Sequence, residues 1–404
     1  MSFKKNIESL KHDSALKKIL LYKNSTKIGE IRNVEGEKNS LKIYSHILEF
    51  ENGTIDVNGA EKALNLFSEY VEESKKTPGK HPNIDRLIEI IKTKVPIQAV
   101  IEYDIPHDLE MKVLQFHEMK VQGCLLEKSE EALSTFNQLM DLLEKGHLRV
   151  ANYTEKGWQV NKWIKKGILL GFKLGSIQIY NKSNDICFTD KNTFPLRKVS
   201  EKSKFRVVPP AAGLRRGSYA GKECVLMPPA YVNIGSYIGQ KTMIENLAGS
   251  CCQVGRHCHI SAGTIIGGVL DPIEASPVII GDDVLLGESS GITQGARLGN
   301  LVTLAPGVHI SKSTPVFDSI KGKVYAANGT FELLEEKNGA VTFYKMGKMI
   351  SEKDHSYGPE IPSGALVISG ATLSSKGFLK YTPIIAKYVT KISDRSYALE
   401  EALR

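Results

Sequence analysis

The chain has 404 residues, of which 41% are hydrophobic and 24% are charged. This composition supports ordinary hydrophobic cores and excludes a disordered chain, and the length predicts about two to four domains. No run of 18 apolar residues is present, and the lysine-rich N-terminus lacks the apolar segment of a signal peptide. We therefore expect a cytoplasmic protein without a membrane-spanning helix.

The formal net charge is +8, and the lysines are spread along the chain with acids among them. Nucleic-acid binding needs a clustered basic face, so we expect small anionic substrates as partners, and neither nucleic acid nor membrane. The six cysteines show no C-x-x-C spacing, which is typical of reduced thiols.

Residues 1–125 alternate between helical and strand-like patterns, which predicts an N-terminal α/β domain. The predicted elements, in order, are an amphipathic helix within the first 30 residues, a strand at 40–50, a helix ending before Pro78, a helix capped by Asn83, and a buried strand at 95–103. No catalytic motif is found in this domain.

Residues 126–205 are predicted to form a mixed, helix-containing domain. A helix from Ser129 to Lys145 carries its apolar residues on one face and ends at Gly146, a residue type that favours helix C-termini. A strand is predicted at 148–153, and the charged segment 182–204 is predicted to be a loop.

The dominant pattern lies in residues 206–318, where an aliphatic residue recurs at steps of six. It occupies Leu226, Val232, Ile238, Ile244, Val254, Ile260, Ile266, Ile280, Leu286, Ile292, Leu298, Leu304, Ile310 and Val316. This period is neither that of a helix nor that of an ordinary strand, and it indicates a hexapeptide repeat wound into a parallel β-helix. Small residues often follow the aliphatic one, where we expect crowding at a corner and positive φ. A β-sandwich is the alternative, but constant phase from Ile280 to Ile310 argues against it.

The repeat has two breaks. Ile244 and Val254 are ten residues apart instead of twelve, which predicts a coil shortened just after Glu245. Ile266 and Ile280 are fourteen residues apart, which predicts a loop that leaves the coil and overhangs a neighbour. Beyond Phe317 the period fails, so 319–404 is predicted as a C-terminal β-rich extension with a partly hairpin insertion at 321–354, strands at 364–373 and 381–391, and a helix at 396–403.

Several segments of the repeat and its flanks resemble tetrahydrodipicolinate N-succinyltransferases of the diaminopimelate and lysine pathway. These segments are Phe205 to Ala212, Val225 to Pro228, Tyr231 to Gly235, Thr242-Met243, Gly249 to Cys251, Gly267 to Leu270 and Pro277 to Ile280. The resemblance implies a left-handed β-helix, a homotrimer, and active sites between adjacent subunits. It also implies succinyl-CoA as co-substrate and no permanently bound cofactor.

The chain resembles a hybrid of two branches of that family. The shorter branch has a catalytic aspartate and a later glutamate, at positions that correspond here to Glu245 and Gly291. The longer branch has a catalytic glutamate in a Met-Val-Glu motif followed by a shortened coil, which Met243-Ile244-Glu245 matches. An arginine two residues after that glutamate is replaced here by Leu247.

The resemblance makes Glu245 the catalytic residue. Two roles are open: a general base for the amine, or a nucleophile that forms an acyl anhydride. A merely exposed carboxylate on the coil is the non-catalytic alternative.

The remaining site residues rest on the same resemblance. Arg206 occupies the position of the substrate-binding arginine, with Arg215 and Arg216 as neighbours that assist it or are only solvated. Backbone groups near Ala262, Gly263 and Ala305 are predicted CoA contacts, and Lys312 and Lys376 are predicted to meet CoA phosphates.

A cluster of cysteines and histidines at 251–259 raises the alternative of a metal site. Tetrahedral zinc needs converging pairs of ligands, and His257 and His259 share a face that Cys258 does not, so we predict no metal. Two functional alternatives to succinyl transfer stay open: an acyltransferase with another donor or acceptor, and a non-catalytic trimeric scaffold.

Overall fold

The structure is a computed structural model. It describes residues 2–10, 14–23, 26–48, 53–154, 157–180, 188–200, 203–338, 341–352, 357–373 and 377–392. The chain forms two compact units, one of Met1–His107 with Tyr153–Gly157 and one of Asp108–Asn152 with Trp158–Arg404. Among the described helices, none is long and apolar enough to cross a membrane.

The N-terminal unit is an α/β domain, as predicted. Its elements are α1 (Phe3–Ser9), β1 (Leu16–Lys23), β2 (Thr26–Arg32), α2 (Lys38–Leu48), β3 (Thr54–Ile55), α3 (Val57–Phe67), α4 (Tyr70–Lys76), α5 (Pro82–Thr93) and β4 (Ile97–Tyr103). The sheet has the order β2-β1-β4-β3 with antiparallel pairs. The apolar residues of the sheet and helices form one buried core.

Two predicted elements of this unit are wrong. The single helix expected in the first 30 residues is a short helix, α1, followed by strand β1, whose Ile19 and Leu21 point to the buried side in strand alternation. The strand expected at 40–50 is helix α2, which buries Leu41, Tyr44 and Leu48. Both segments carry apolar residues at spacings that suit either period, so packing against the rest of the unit decides.

The other predictions for the N-terminal unit hold with small changes. The apolar stripe predicted as one helix is divided at Ser68, which adopts a positive φ of 48°, into α3 and α4. Helix α5 forms, but its N-cap is His81 followed by Pro82, and not Asn83. Strand β4 lies where a buried strand was predicted.

The second unit begins with helices. The elements between Asp108 and the repeat are α6 (Leu109–Gln122), a 3-10 turn (Leu125–Lys128), α7 (Ser129–Glu144), β5 (Ala151–Thr154), β6 (Gly157–Val160), α8 (Lys162–Leu174), β7 (Ile177–Tyr180) and β8 (Phe188–Lys191), and the adjoining ends of β5 and β6 at Tyr153–Gly157 are counted with the first unit. Helix α7 ends where predicted, with Gly146 at φ +73°. Helices α7 and α8 pack closely, since a Cβ at Gly167 would lie 2.3 Å from Leu139 Cδ2.

Residues 206–310 form stacked coils of two-residue parallel strands. The strands are β9 (Arg206–Val207), β10 (Gly213–Leu214), β11 (Tyr219–Ala220), β12 (Val225–Leu226), β13 (Tyr231–Val232), β14 (Tyr237–Ile238), β15 (Met243–Ile244), β16 (Leu247–Ala248), β17 (Gln253–Val254), β18 (His259–Ile260), β19 (Ile265–Ile266), β20 (Ile279–Ile280), β21 (Leu285–Leu286), β22 (Gly291–Ile292), β23 (Arg297–Leu298), β24 (Thr303–Leu304) and β25 (His309–Ile310).

The strands stack into the three faces of a prism. Face 1 contains β9, β12, β15, β18, β21 and β24; face 2 contains β10, β13, β16, β19, β22 and β25; face 3 contains β11, β14, β17, β20 and β23. All fourteen aliphatic residues of the repeat are at most 3% exposed. The hexapeptide-repeat prediction is therefore confirmed and the β-sandwich is excluded, because every strand pairs in parallel with the strand one coil away.

The glycines after the aliphatic residues are needed because adjacent coils approach each other closely there. They do not adopt the positive φ that we expected. A Cβ at Gly255 would lie 2.3 Å from the carbonyl oxygen of Gly281 in the next coil. The positive φ angles fall two residues later, at Lys241, His257 and Asp283. The left-handed backbone conformation at these corners is therefore adopted by residues other than glycine.

The prism does not end at Phe317. The elements that follow are β26 (Val316–Asp318), β27 (Lys323–Ala326), β28 (Gly329–Asn338), β29 (Val341–Glu352), β30 (Glu360–Ile361), β31 (Ala365–Ile368), β32 (Ala371–Leu373), β33 (Leu379–Tyr381) and β34 (Ile384–Tyr388). Strand β30 pairs in parallel with β23 and extends face 3, and β31 pairs with β24 and extends face 1.

Ile361 and Val367 belong to the same buried core as the earlier coils. The predicted hairpin insertion, β28 with β29, thus interrupts the repeat and does not terminate it. The strands predicted at 364–373 and 381–391 are present as β31 to β34. The helix predicted at 396–403 lies outside the described residues, and the four-part domain division stays a prediction.

Candidate active site

The shortened coil places Glu245 at a corner of the prism. Four residues separate β14 from β15, but only two, Glu245 and Asn246, separate β15 from β16. The ten-residue spacing in the sequence is therefore a tight corner between face 1 and face 2. The backbone N–H of Glu245 donates to the carbonyl of Ile260 at 3.0 Å, which fixes the corner on the coil beneath it.

The carboxylate of Glu245 contacts a histidine of the next coil. Oε1 of Glu245 lies 2.9 Å from Nε2 of His259, and the side chains are 24% and 48% exposed, respectively. His259 is the first residue of β18, in register with Met243 and Leu285 on the outside of face 1. His259 was not among the site residues predicted from the sequence. The sequence did contain a signal for this contact. His259 occupies the outward position one coil after Met243, and Glu245 lies in the corner that directly follows Met243.

Three of the predicted CoA contacts lie on the same corner of the prism as Glu245. Ala262 and Gly263 follow β18 and are exposed, and the carbonyl of Ala262 accepts a hydrogen bond from Ser289 N–H at 2.9 Å. Ala305 follows β24 but is only 1% exposed, and its N–H donates to Val367. The corner thus brings Glu245, Ala262 and Gly263 to the surface and leaves Ala305 in the core.

Arg206 lies on face 1, in the same outward row as His259. It pairs in register with Val225, which pairs with Met243, which pairs with His259. Three steps of about 4.8 Å put its backbone roughly 14 Å from that of His259. The side chain is exposed, and within the described residues its guanidinium makes no hydrogen bond or ion pair.

Arg215 and Arg216 lie on a different corner, between faces 2 and 3. Arg215 is paired with Asp190, with Nη2 2.6 Å from Oδ2, and its guanidinium lies 5.1 Å from the ring centre of Phe194. Arg216 donates to Oδ1 of Asn137 at 3.0 Å. Both guanidinium groups therefore bind groups of their own chain.

Of the two lysines predicted to contact CoA phosphates, only Lys312 lies within the described residues. Lys312 follows β25, on the same corner of the prism as Arg215 and apart from Glu245. Lys376 lies outside the described residues. Within the chain, the structure therefore groups Glu245, Ala262 and Gly263, sets Arg206 along the adjoining face, and leaves Arg215, Arg216 and Lys312 elsewhere.

The predicted loop occupies residues 267–278, between β19 and β20. Lys165 of α8 is completely buried, and its Nζ donates to the carbonyls of Pro272, Ile273 and Ala275 at 2.9 to 3.0 Å. Lys162, on the same helix, forms an exposed ion pair with Glu274. Helix α8 thus holds the loop in a defined conformation.

The cysteines and histidines at 251–259 do not converge. Cys251, Cys252 and Cys258 are buried, and burial raises the pKa of Cys251 and Cys252 to about 12. His257 lies 3.4 Å from Asp283, whereas His259 contacts Glu245. Among the described residues, no group of three histidine, cysteine or acidic side chains is arranged to hold a metal ion.

Gly291 and Leu247, the two departures from the family pattern, both lie in the outward row of face 2. The imidazole of His309, one coil further, covers Gly291, since a Cβ there would lie 2.5 Å from His309 Nδ1. The position of the missing glutamate is thus covered by an imidazole ring from the next coil.

Stacked parallel coils with an inward aliphatic residue at every sixth position define the hexapeptide-repeat class of transferases, and a family model described as "Hexapeptide repeat of succinyl-transferase" matches residues 277–312. A second, described as "Tetrahydrodipicolinate N-succinyltransferase N-terminal", matches residues 109–174. A third, described as an uncharacterized protein conserved in bacteria (DUF2322), matches residues 3–101.

Among curated relatives, the 2,3,4,5-tetrahydropyridine-2,6-dicarboxylate N-succinyltransferase of Polynucleobacter asymbioticus is 35% identical, over 67% of this chain and 89% of the relative. The enzymes of the same name from Acinetobacter baylyi and Xylella fastidiosa are 35% identical over 68% and 41% identical over 49% of this chain, covering 88% and 74% of those relatives. The chain therefore belongs to the tetrahydrodipicolinate N-succinyltransferase family of acyltransferases, as the sequence motifs predicted. A solved Campylobacter jejuni chain, a candidate 2,3,4,5-tetrahydropyridine-2-carboxylate N-succinyltransferase, aligns over 100% of this chain and 98% of that chain at 15% identity and a TM-score of 0.35, too low to carry an argument.

Proposed function

We propose that this protein transfers the succinyl group of succinyl-CoA to the amino group of the ring-opened, 2-amino-6-oxo form of tetrahydrodipicolinate, in the diaminopimelate and lysine pathway. The observation that carries the proposal is the position of Glu245, whose partly exposed carboxylate lies at the shortened corner of a prism that belongs to this family. Acyl transfer to an amine requires a group that removes its proton, and the Glu245 corner offers one.

The acceptor is a dicarboxylate, and Arg206 is the cation we assign to it. A guanidinium binds a carboxylate through two parallel hydrogen bonds, and that of Arg206 is exposed. It shares the outward row of face 1 with the residue that contacts Glu245. A substrate carboxylate held by Arg206 therefore leaves the amine end directed along face 1 toward the Glu245 corner.

For the CoA arm, Gly263 is the strongest of the predicted contacts. Its backbone is exposed on the Glu245 corner, whereas Ala305 is buried and its N–H is already hydrogen bonded. We assign Lys312 and Lys376 to phosphate contacts on the family resemblance alone. We also propose, on the same basis, left-handed coils and a homotrimer with active sites between adjacent subunits.

The direct test mixes the purified protein with succinyl-CoA and the cyclic imine dicarboxylate and measures free CoA thiol. We expect thiol release that depends on both substrates and that falls by orders of magnitude in Glu245→Gln, with the oligomer unchanged by size-exclusion chromatography. An intact protein that releases no thiol in the presence of both substrates would contradict the proposal and favour the scaffold alternative.

A different acyl donor is the second candidate, and Leu247 is the observation that favours it. Leu247 stands on face 2 next to the Glu245 corner, where the longer branch of the family has an arginine. Turnover with acetyl-CoA equal to or better than with succinyl-CoA would support this candidate, because an apolar side chain offers nothing to the distal carboxylate of a succinyl group.

A further inference from the structure

We propose that His259 is the general base of this site and that Glu245 is the positioning residue that orients it. The proposal deepens the function proposed above and rests on it, because it names the group that takes the proton of the acceptor amine. It departs from the two roles open for Glu245 alone, direct base or nucleophile, and follows from the contact between the two side chains.

The geometry of the pair carries the proposal. Nε2 of His259 and Oε1 of Glu245 are 2.9 Å apart, which is a hydrogen-bond distance. A carboxylate only accepts, so Nε2 carries the hydrogen and the ring has the tautomer in which Nδ1 is the lone-pair nitrogen. A carboxylate bound to one imidazole nitrogen while the other accepts a proton is the arrangement that orients catalytic histidines.

The surroundings of His259 suit a base that meets an external substrate. The side chain is 48% exposed on the outside of face 1. Its register neighbours in the sheet, Met243 and Leu285, carry no charge, and the carboxylate that contacts the ring is that of Glu245, from the corner after β15. Arg206 lies along the same row, at the distance already given, where it holds a carboxylate of the acceptor.

The contact gives Glu245 a role that does not require it to attack the thioester. Its Oε1 holds the imidazole, and its negative charge lies where it stabilises an imidazolium at position 259. A hydrogen bond between two partly exposed side chains also contributes only modestly to folding. Removing the imidazole should therefore change the chemistry of the site more than the stability of the protein.

The proton transfers balance as follows. The substrate ammonium loses one proton to water, and the neutral amine attacks the thioester carbonyl carbon, forming the C–N bond. Nδ1 of His259 takes the second proton from that nitrogen, and Glu245 stabilises the imidazolium. Collapse of the tetrahedral intermediate breaks the C–S bond, and Nδ1 returns the proton to the departing CoA sulfur. The products are the amide and free CoA thiol.

The test compares His259→Gln with a matched control, His257→Gln. His257 forms a second histidine–carboxylate pair, 3.4 Å from Asp283, on a corner of the prism away from Glu245. We expect kcat/KM to fall by about 10²- to 10⁴-fold in His259→Gln, the range typical of a lost general base, with little change in KM for succinyl-CoA. His257→Gln should retain the activity of the unmodified protein.

The pH profile separates a base from a structural role. The unmodified protein should lose kcat/KM on the acid side as the imidazole takes a proton, and His259→Gln should lack this limb. A His259→Gln protein with activity within a few-fold of the unmodified chain, or an unchanged acid limb, would overturn the proposal. So would a succinyl adduct on Glu245 found by mass spectrometry after mixing with succinyl-CoA alone. If the unmodified protein releases no CoA thiol at all, it is the proposed function that fails.

Discussion

The Nζ atom of Lys165 lies 2.9 Å from the carbonyl oxygen of Ala275, although 110 residues separate the two in the chain. The same ammonium also donates to Pro272 and Ile273, so one buried cation satisfies three carbonyls of the loop 267–278. A loop that lies outside the regular strands is thereby fixed beside the coils.

Lys165→Met should destabilise the protein by about 3 kcal/mol, because it leaves three carbonyls without their donor in a buried place. Urea denaturation measures the loss, and limited proteolysis should show new cleavage within 267–278. Lys162→Met is the control, since it removes the exposed ion pair to Glu274 in the same loop and should change little. Equal stability of the two variants would contradict the anchoring role of Lys165.

The buried thiols should be inert in the folded protein. Cys224, Cys251, Cys252 and Cys258 are at most 2% exposed, and burial raises the pKa of each, that of Cys224 to about 11. The thiolate is the reactive form, so a thiol reagent at pH 8 should leave these four unmodified until denaturant is added. Fast reaction of any of the four in the folded state would show that the coils open locally.

These thiols should also make the protein less stable in alkali. The folded pKa of Cys251 and Cys252, about 12, exceeds the ordinary value of 9.0, so above pH 9 the unfolded chain binds fewer protons than the folded one. Stability should therefore fall as the pH rises from 9 toward 12. Urea midpoints measured at pH 8, 9 and 10 give the slope, and replacing both cysteines by alanine should reduce it.

Ile361 should behave as a core residue of the prism. It is fully buried with the earlier coils, although 51 residues separate it from Ile310. Ile361→Ala should cost roughly 2 to 5 kcal/mol, the usual range for a large-to-small change in a core. Ile350→Ala is the matched control, because Ile350 lies on the hairpin and is 52% exposed. If the two variants unfold at the same urea concentration, the resumed coil is not part of the core.

Substitutions at Gly291 and His309 should have non-additive effects on the free energy of unfolding. A Cβ at Gly291 would lie 2.5 Å from His309 Nδ1, and the three nearest atoms to it all belong to that ring. Gly291→Ala should therefore push the exposed ring of His309 off its rotamer and destabilise the protein by about 0.5 to 1.5 kcal/mol, and much less in a His309→Ala background. Additive effects in this double-mutant cycle would mean that the ring is not what limits position 291.

Much of the prism could be predicted from the sequence, because each coil repeats the same inward position. The six-residue period is lost beyond Phe317. The next inward residues, Ile361 and Val367, follow an insertion whose length the repeat does not predict. The elements of the N-terminal unit were harder to predict from the sequence. Leu41, Ile43 and Ile47 alternate as in a strand while Leu41, Tyr44 and Leu48 follow a helical spacing, and only packing selects the helix.

The sequence by itself determined the prism, its shortened corner and the place of Glu245 on that corner, because a six-residue period held over successive coils fixes the inward position, and the ten-residue step from Ile244 to Val254 departs from it. The tertiary structure alone decided which side chain meets that carboxylate. His259 stands 14 residues further along the chain and reaches Glu245 only because one coil stacks directly on another. Likewise, Lys165 holds the loop at 267–278 only after α8 has packed beside the coils, a contact between distant segments that no local pattern contains.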